Sequence, residues 1–122
     1  LACPPYTREN IFAPKNIIRD LIKRTNAKAW RVHLALSLSR KYFDSPERWS
    51  KYSPFEFAKN NLDYTYPKMF LIGAEKDEYG FYEGALFFKD IVRKRGLNFE
   101  WISEKGGHCA FNKEKLVSFL TK

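Results

Sequence analysis

Met69-Phe70-Leu71-Ile72 is a continuous apolar run closed by Gly73, the pattern of a strand buried on both faces. A polar loop of Glu75, Lys76, Asp77, Glu78 and Tyr79 follows it. Phe81, Ala85, Phe88 and Val92 then mark one face of a helix, and Lys94-Arg95-Gly96 is a favourable C-terminus for it. A second strand is predicted from Leu97 to Ser103, where Leu97, Phe99 and Trp101 alternate with Asn98, Glu100 and Ile102. Gly106-Gly107-His108 makes a loop, and Asn112 is suited to cap a last helix carrying Leu116, Val117, Phe119 and Leu120. Strand, loop, helix, strand, loop, helix is the order of parallel α/β architecture, whose functional loops gather at the carboxyl ends of strands. Asp77 and His108 each fall just beyond such an end.

The first half reads differently. Pro14 to about Asn26 places Ile17, Ile18, Leu21 and Ile22 at helical spacing, with Pro14 suited to a first turn, after a proline-rich start at Pro4 and Pro5. Residues 29–43 fit two periods: Val32, Leu34, Leu36 and Leu38 alternate as in a strand, whereas Trp30, Leu34, Leu38 and Tyr42 recur every four as in a helix. Asp44-Ser45-Pro46-Glu47 reads as a short helix start, with Ser45 as cap and Pro46 as first residue, leading into a Ser53-Pro54 turn.

Composition excludes disorder and a membrane span. With 44% hydrophobic and 17% aromatic residues among 122, burial can offset the conformational entropy of folding, and the apolar stretches are strand-sized. The formal charge of +8 sits mainly in the first half, where residues 1–63 hold 12 Lys+Arg against 6 Asp+Glu and residues 64–122 hold 10 against 8. These charges are spread singly along Arg19, Lys23, Arg24, Lys28, Arg31, Arg40 and Lys41, a solvated basic face rather than a nucleic-acid motif. Cys3 and Cys109 show no zinc or redox spacing and fix no compartment.

Ser53-Pro54, the strand Pro67-Lys68-Met69-Phe70-Leu71-Ile72-Gly73, Asp77 and Gly106-Gly107-His108, taken in order over about residues 50–122, resemble the closing section of an α/β-hydrolase of the esterase, lipase or acyl-peptidase kind. The resemblance implies an α/β fold: the C-terminal half of a mostly parallel hydrolase sheet (residues 53–122), preceded by a helical cap-like or connecting segment (residues 1–52). It implies Asp77 and His108 as the acid and histidine of a Ser-His-Asp triad, with no metal and no organic cofactor. In such a triad the histidine takes the nucleophile's proton and returns it to the leaving group, while the carboxylate holds the tautomer and stabilises the imidazolium. The loop after Gly73 is one residue longer than the commonest family spacing, so Glu75 and Glu78 stand as alternative carboxylates. Tyr79 and Phe81 are the candidate substrate-pocket walls. Cys109 adjoins His108, but neighbours in an extended loop point apart, which favours packing over a thiol nucleophile.

The nucleophile is missing. The family writes it G-x-S-x-G on a strand-to-helix turn, yet none of the seven serines (37, 39, 45, 50, 53, 103 and 118) is flanked by glycines, and every glycine lies at or after Gly73. Three explanations follow: a fragment of a longer hydrolase, a second chain carrying the nucleophile, or a degenerate relative. The leading expectation is hydrolysis of an ester, or of an amide or peptide, on a small-molecule ester or acyl substrate, with the serine outside this chain. The rival is a non-catalytic α/β module docking through its basic half to a nucleic acid or an acidic protein. A half-sheet standing alone exposes a strand edge, so self-association or a complementing chain is expected.

Overall fold

Helix-spaced apolar residues, caps and one doubly buried strand divide the described residues into four helices followed by a β-α-β-α run. A computed structural model describes residues 7–25, 27–60 and 65–122. Cys3, Pro4, Pro5 and Asn26 lie outside the described residues.

Helix α1 (Lys15–Thr25) begins where the Pro14 carbonyl accepts the Ile18 N–H at 3.2 Å. It buries Ile18 and Leu21 and ends in Lys23 and Arg24, cations suited to its carbonyl-rich end. The ambiguous segment is helical: α2 (Ala29–Phe43) stops at Asp44, whose left-handed conformation (φ 54°) lets its N–H reach the Arg40 carbonyl. The face it buries is not the four-residue stripe. Val32 and Leu36 point into the core, while Trp30 (61%), Leu34, Leu38 and Tyr42 (77%) are exposed. Helix α3 (Pro46–Tyr52) starts as its sequence predicts, with the Ser45 hydroxyl accepting the Arg48 N–H at 3.2 Å and Pro46 in the first turn. The Ser53-Pro54 corner does more than turn the chain, because Pro54 opens a further helix, α4 (Pro54–Asn60), that buries Phe55 and Ala58.

Ile11, Ile18, Leu21, Ala27, Val32, Leu36 and Trp49 form one apolar cluster, drawn wholly from the helical first half. A second unites Phe55 and Ala58 of α4 with Ile91 of α5 (Phe81–Lys94). Leu21 and Val32 are fully enclosed, each burial of that kind contributing about 1.5–3 kcal/mol.

Strand β1 (Met69–Ala74) is buried at five of six positions, as a continuous apolar run requires. Helix α5 carries the chain back, and β2 (Phe99–Glu104) pairs parallel to β1 in the register Met69↔Phe99 to Ala74↔Glu104. β2 begins two residues later than its alternation suggests, and all six of its residues are half-buried. Gly96 (φ 65°) turns the chain out of α5, where the Leu97 N–H reaches the Val92 carbonyl. Helix α6 (Lys113–Leu120) is capped by the Asn112 side chain, which accepts the Lys115 N–H at 3.1 Å. It buries no residue fully, and its Phe119 ring rests 5.1 Å from Phe70.

The architecture is mixed α/β, mostly helical, with a small two-stranded parallel sheet among the described residues. No described helix is long and apolar enough to cross a membrane.

Candidate active site

The parallel pairing of β1 and β2 brings the two loops beyond their carboxyl ends side by side. Backbone bonds tie them there: the Glu75 N–H donates to the Glu104 carbonyl at 2.8 Å and the Lys76 N–H to the Gly106 carbonyl at 3.1 Å. A Cβ on Gly106 would meet the Ala110 Cβ at 2.5 Å, whereas one on Gly107 would meet none of the described residues within 4 Å. Gly106 therefore permits a close approach, and Gly107 borders open space.

Asp77 and His108, 31 residues apart, meet across these loops. Asp77 Oδ2 lies 2.7 Å from His108 Nδ1, with the carboxylate side chain 2% exposed and the imidazole 35% exposed. Asp77 Oδ1 accepts the backbone N–H of Tyr79 at 2.8 Å and of Phe81 at 3.3 Å, so the same side chain also anchors the start of α5. An ionised carboxylate only accepts, so a neutral imidazole in this contact carries its proton on Nδ1 and a lone pair on Nε2. That is the tautomer a general base requires.

Of the alternative carboxylates, Glu75 is exposed. Glu78 turns to the helical half of the chain, pairing with Lys28 Nζ at 3.1 Å and with the Arg31 guanidinium. The Lys28 hydrogen bond holds the Glu78 carboxyl below the usual carboxylate range; partial burial opposes this, and the charges of Arg31, Lys28 and His108 add to it. The Lys28 N–H also donates to the Glu78 carbonyl at 3.0 Å, and Arg31 lies 5.4 Å from the Tyr79 ring. Helix α2 thus grips the loop that carries Asp77. Sequence reasoning missed this clamp, since nothing local links residues nearly fifty positions apart.

Tyr79 and Phe81 both pack on the imidazole. Their rings stack with centroids 5.3 Å apart and lie 4.7 and 5.7 Å from the His108 ring. A hollow of about 320 Å³ reaches Asp77 past Glu75, Gly80, Tyr82 and Glu83, on a side that His108 does not line. Another, of about 640 Å³ beside Phe87, Ile91 and Arg95, touches neither member of the pair.

Among the described residues no serine hydroxyl hydrogen-bonds the imidazole. Ser45 caps α3, Ser103 pairs with the Tyr82 hydroxyl at 2.7 Å, and Ser53 is buried at the α3–α4 corner. The group at Nε2 is the Cys109 thiol, at 3.3 Å. The expectation that these neighbours point apart assumed an extended loop. Cys109 instead has φ 58°, and the Ala110 N–H closes a turn onto the Gly107 carbonyl at 3.0 Å. The described residues hold no cluster of three or more His, Cys, Asp or Glu side chains arranged for a metal ion.

No protein-family model matches the chain, and neither a curated protein nor a solved structure matches it.

Proposed function

We propose that this chain supplies the acid and the general base of an ester hydrolase, Asp77 orienting His108, with an attacking serine hydroxyl from outside the chain. The observation that carries the reading is the 2.7 Å contact from buried Asp77 to His108 Nδ1, which directs Nε2 away from the carboxylate as the proton acceptor, the serine hydroxyl taking the place there that the Cys109 thiol holds. In the forward step Nε2 takes the serine proton as oxygen attacks the acyl carbon; the imidazolium, steadied by Asp77, then protonates the departing alkoxide. Water repeats the exchange to release the acid. The aromatic pair Tyr79 and Phe81 would flank the acyl or aryl group of the substrate.

The wider form of the proposal is that residues 53–122 are the C-terminal part of an α/β-hydrolase core and residues 1–52 a cap-like segment. Two features support it. Among the described residues β1 pairs with β2 alone, leaving its other edge for further parallel strands. The first half packs its own apolar cluster and grips the acid loop through Lys28 and Arg31.

The test is labelling of the longest natural form of the protein with a serine-directed phosphonate, with and without His108→Ala, followed by mapping of the labelled peptide. Labelling of an upstream G-x-S-x-G serine that is lost in the variant supports the reading. No labelling of the folded wild type overturns it.

A second reading has its own observation. A groove of about 590 Å³ between α1 and α2 has Ile18, Ile22 and Leu36 on its floor and Lys15, Arg19, Lys23, His33 and Arg40 around it, with no acidic side chain among the described residues that line it. This suits docking of an acidic protein by a non-catalytic module. Binding of that kind weakens as salt rises, whereas phosphonate labelling does not depend on salt.

A further inference from the structure

We propose that Cys109 is a nucleophilic thiol activated by His108 and Asp77, and that it takes a soft carbon electrophile bearing an aromatic arm. The inference needs the Asp77–His108 pair but not the ester-hydrolase reading.

Three side chains, not the cysteine alone, are joined by two contacts. Asp77 Oδ2 meets Nδ1 at 2.7 Å, and Sγ of Cys109 meets Nε2 of the same ring at 3.3 Å, within reach of a sulfur hydrogen bond. With the ring proton held on Nδ1 by the carboxylate, Nε2 accepts and the thiol donates. Nucleophile, base and orienting acid therefore form one hydrogen-bonded chain, the arrangement that activates thiols in general. Moving the thiol proton onto Nε2 leaves a thiolate beside an imidazolium whose far side faces buried Asp77.

Cys109 is a free, exposed cysteine, and among the described residues nothing lies within 4 Å of where a Gly107 Cβ would be. The stacked rings of Tyr79 and Phe81, packed on the imidazole, give an incoming group an aromatic wall to lie against. With a chloroacetyl compound the sulfur attacks the methylene carbon, the S–C bond forms as the C–Cl bond breaks, and chloride leaves with the electron pair. The thiol proton rests on His108 and then passes to solvent.

The experiment compares 2-chloroacetanilide with 2-chloroacetamide on the whole chain at neutral pH. Alkylation of Cys109 is followed by peptide mass spectrometry, which separates it from Cys3, and N-acetylcysteine serves as the unactivated reference. The wild type is expected to react about tenfold faster than His108→Ala or His108→Gln. Its preference for the anilide is expected to exceed that of N-acetylcysteine and to fall in Tyr79→Ala. Equal rates in wild type and folded His108 variants overturn the proposal. Where neither variant folds, a wild-type rate no higher than that of N-acetylcysteine overturns it. Failure of phosphonate labelling with a fast Cys109 would sink the hydrolase reading alone, and the reverse result would sink only this one.

Discussion

Asp77 carries two duties that a pair of substitutions separates. Its Oδ1 accepts two backbone N–H groups at the start of α5, and its Oδ2 accepts the His108 Nδ1–H. Asp77→Asn keeps a carbonyl oxygen for the backbone donors but turns an NH₂ group toward Nδ1. The imidazole must then carry its proton on Nε2, where it can no longer act as a base. Because one charge-assisted bond becomes a neutral one, the stability loss is about 1 kcal/mol. Asp77→Ala leaves the Tyr79 and Phe81 N–H groups unpaired next to a buried site, about 1–3 kcal/mol each, so its loss is about 2–6 kcal/mol. Urea denaturation midpoints of the two variants give the difference. Nitrogen-15 NMR of the His108 ring reads the proton directly: on Nδ1 in the wild type with neutral imidazole, on Nε2 in Asp77→Asn. If the parent protein is the proposed hydrolase, Asp77→Asn lowers its turnover by about 10⁴-fold. Equal stability of the two variants, or an unchanged ring tautomer, would refute the assignment of these bonds.

Two further outcomes follow from packing and charge. A methyl group at Gly73 would sit 2.5 Å from the Trp101 ring and 2.9 Å from the Tyr82 ring, so Gly73→Ala should cost about 1–3 kcal/mol in a denaturant titration, and less in a Trp101→Leu background. The folded Glu78 carboxyl titrates below its usual 4.5, so its contribution is complete above that value and fades as pH falls through the folded one. Protection factors of the amides at the start of α2, taken against the intrinsic exchange rate at each pH, should therefore fall below pH 4.5; the effect should shrink in high salt, because Glu78 is solvent-accessible, and vanish in Glu78→Gln.

The sheet and its loops were largely legible in the sequence, because each rests on local chemistry. A run apolar at every position suits burial on both faces, as in β1, and Ser45 and Asn112 cap the helices that follow them. Gly96 supplies the positive φ that ends α5. Helix α4 escaped notice because seven residues carry too little periodicity to stand apart from the Ser53-Pro54 turn. For α2 the period was readable but the buried face was not. Apolar residues lie on two sides of that helix, and only the arrival of Leu21 and Trp49 selects Val32 and Leu36 over Trp30, Leu34, Leu38 and Tyr42.

The candidate site divides along the same line. Sequence by itself named Asp77 and His108 and put each just past a strand, because strand ends and glycine loops are written locally. Tertiary structure decided which oxygen meets which ring nitrogen, since that depends on parallel pairing across 31 residues. It also decided that Arg31 and Lys28 grip Glu78, and that Cys109 folds back onto Nε2. These contacts turn on one dihedral angle and on the packing of distant helices, and no local pattern of residues encodes either.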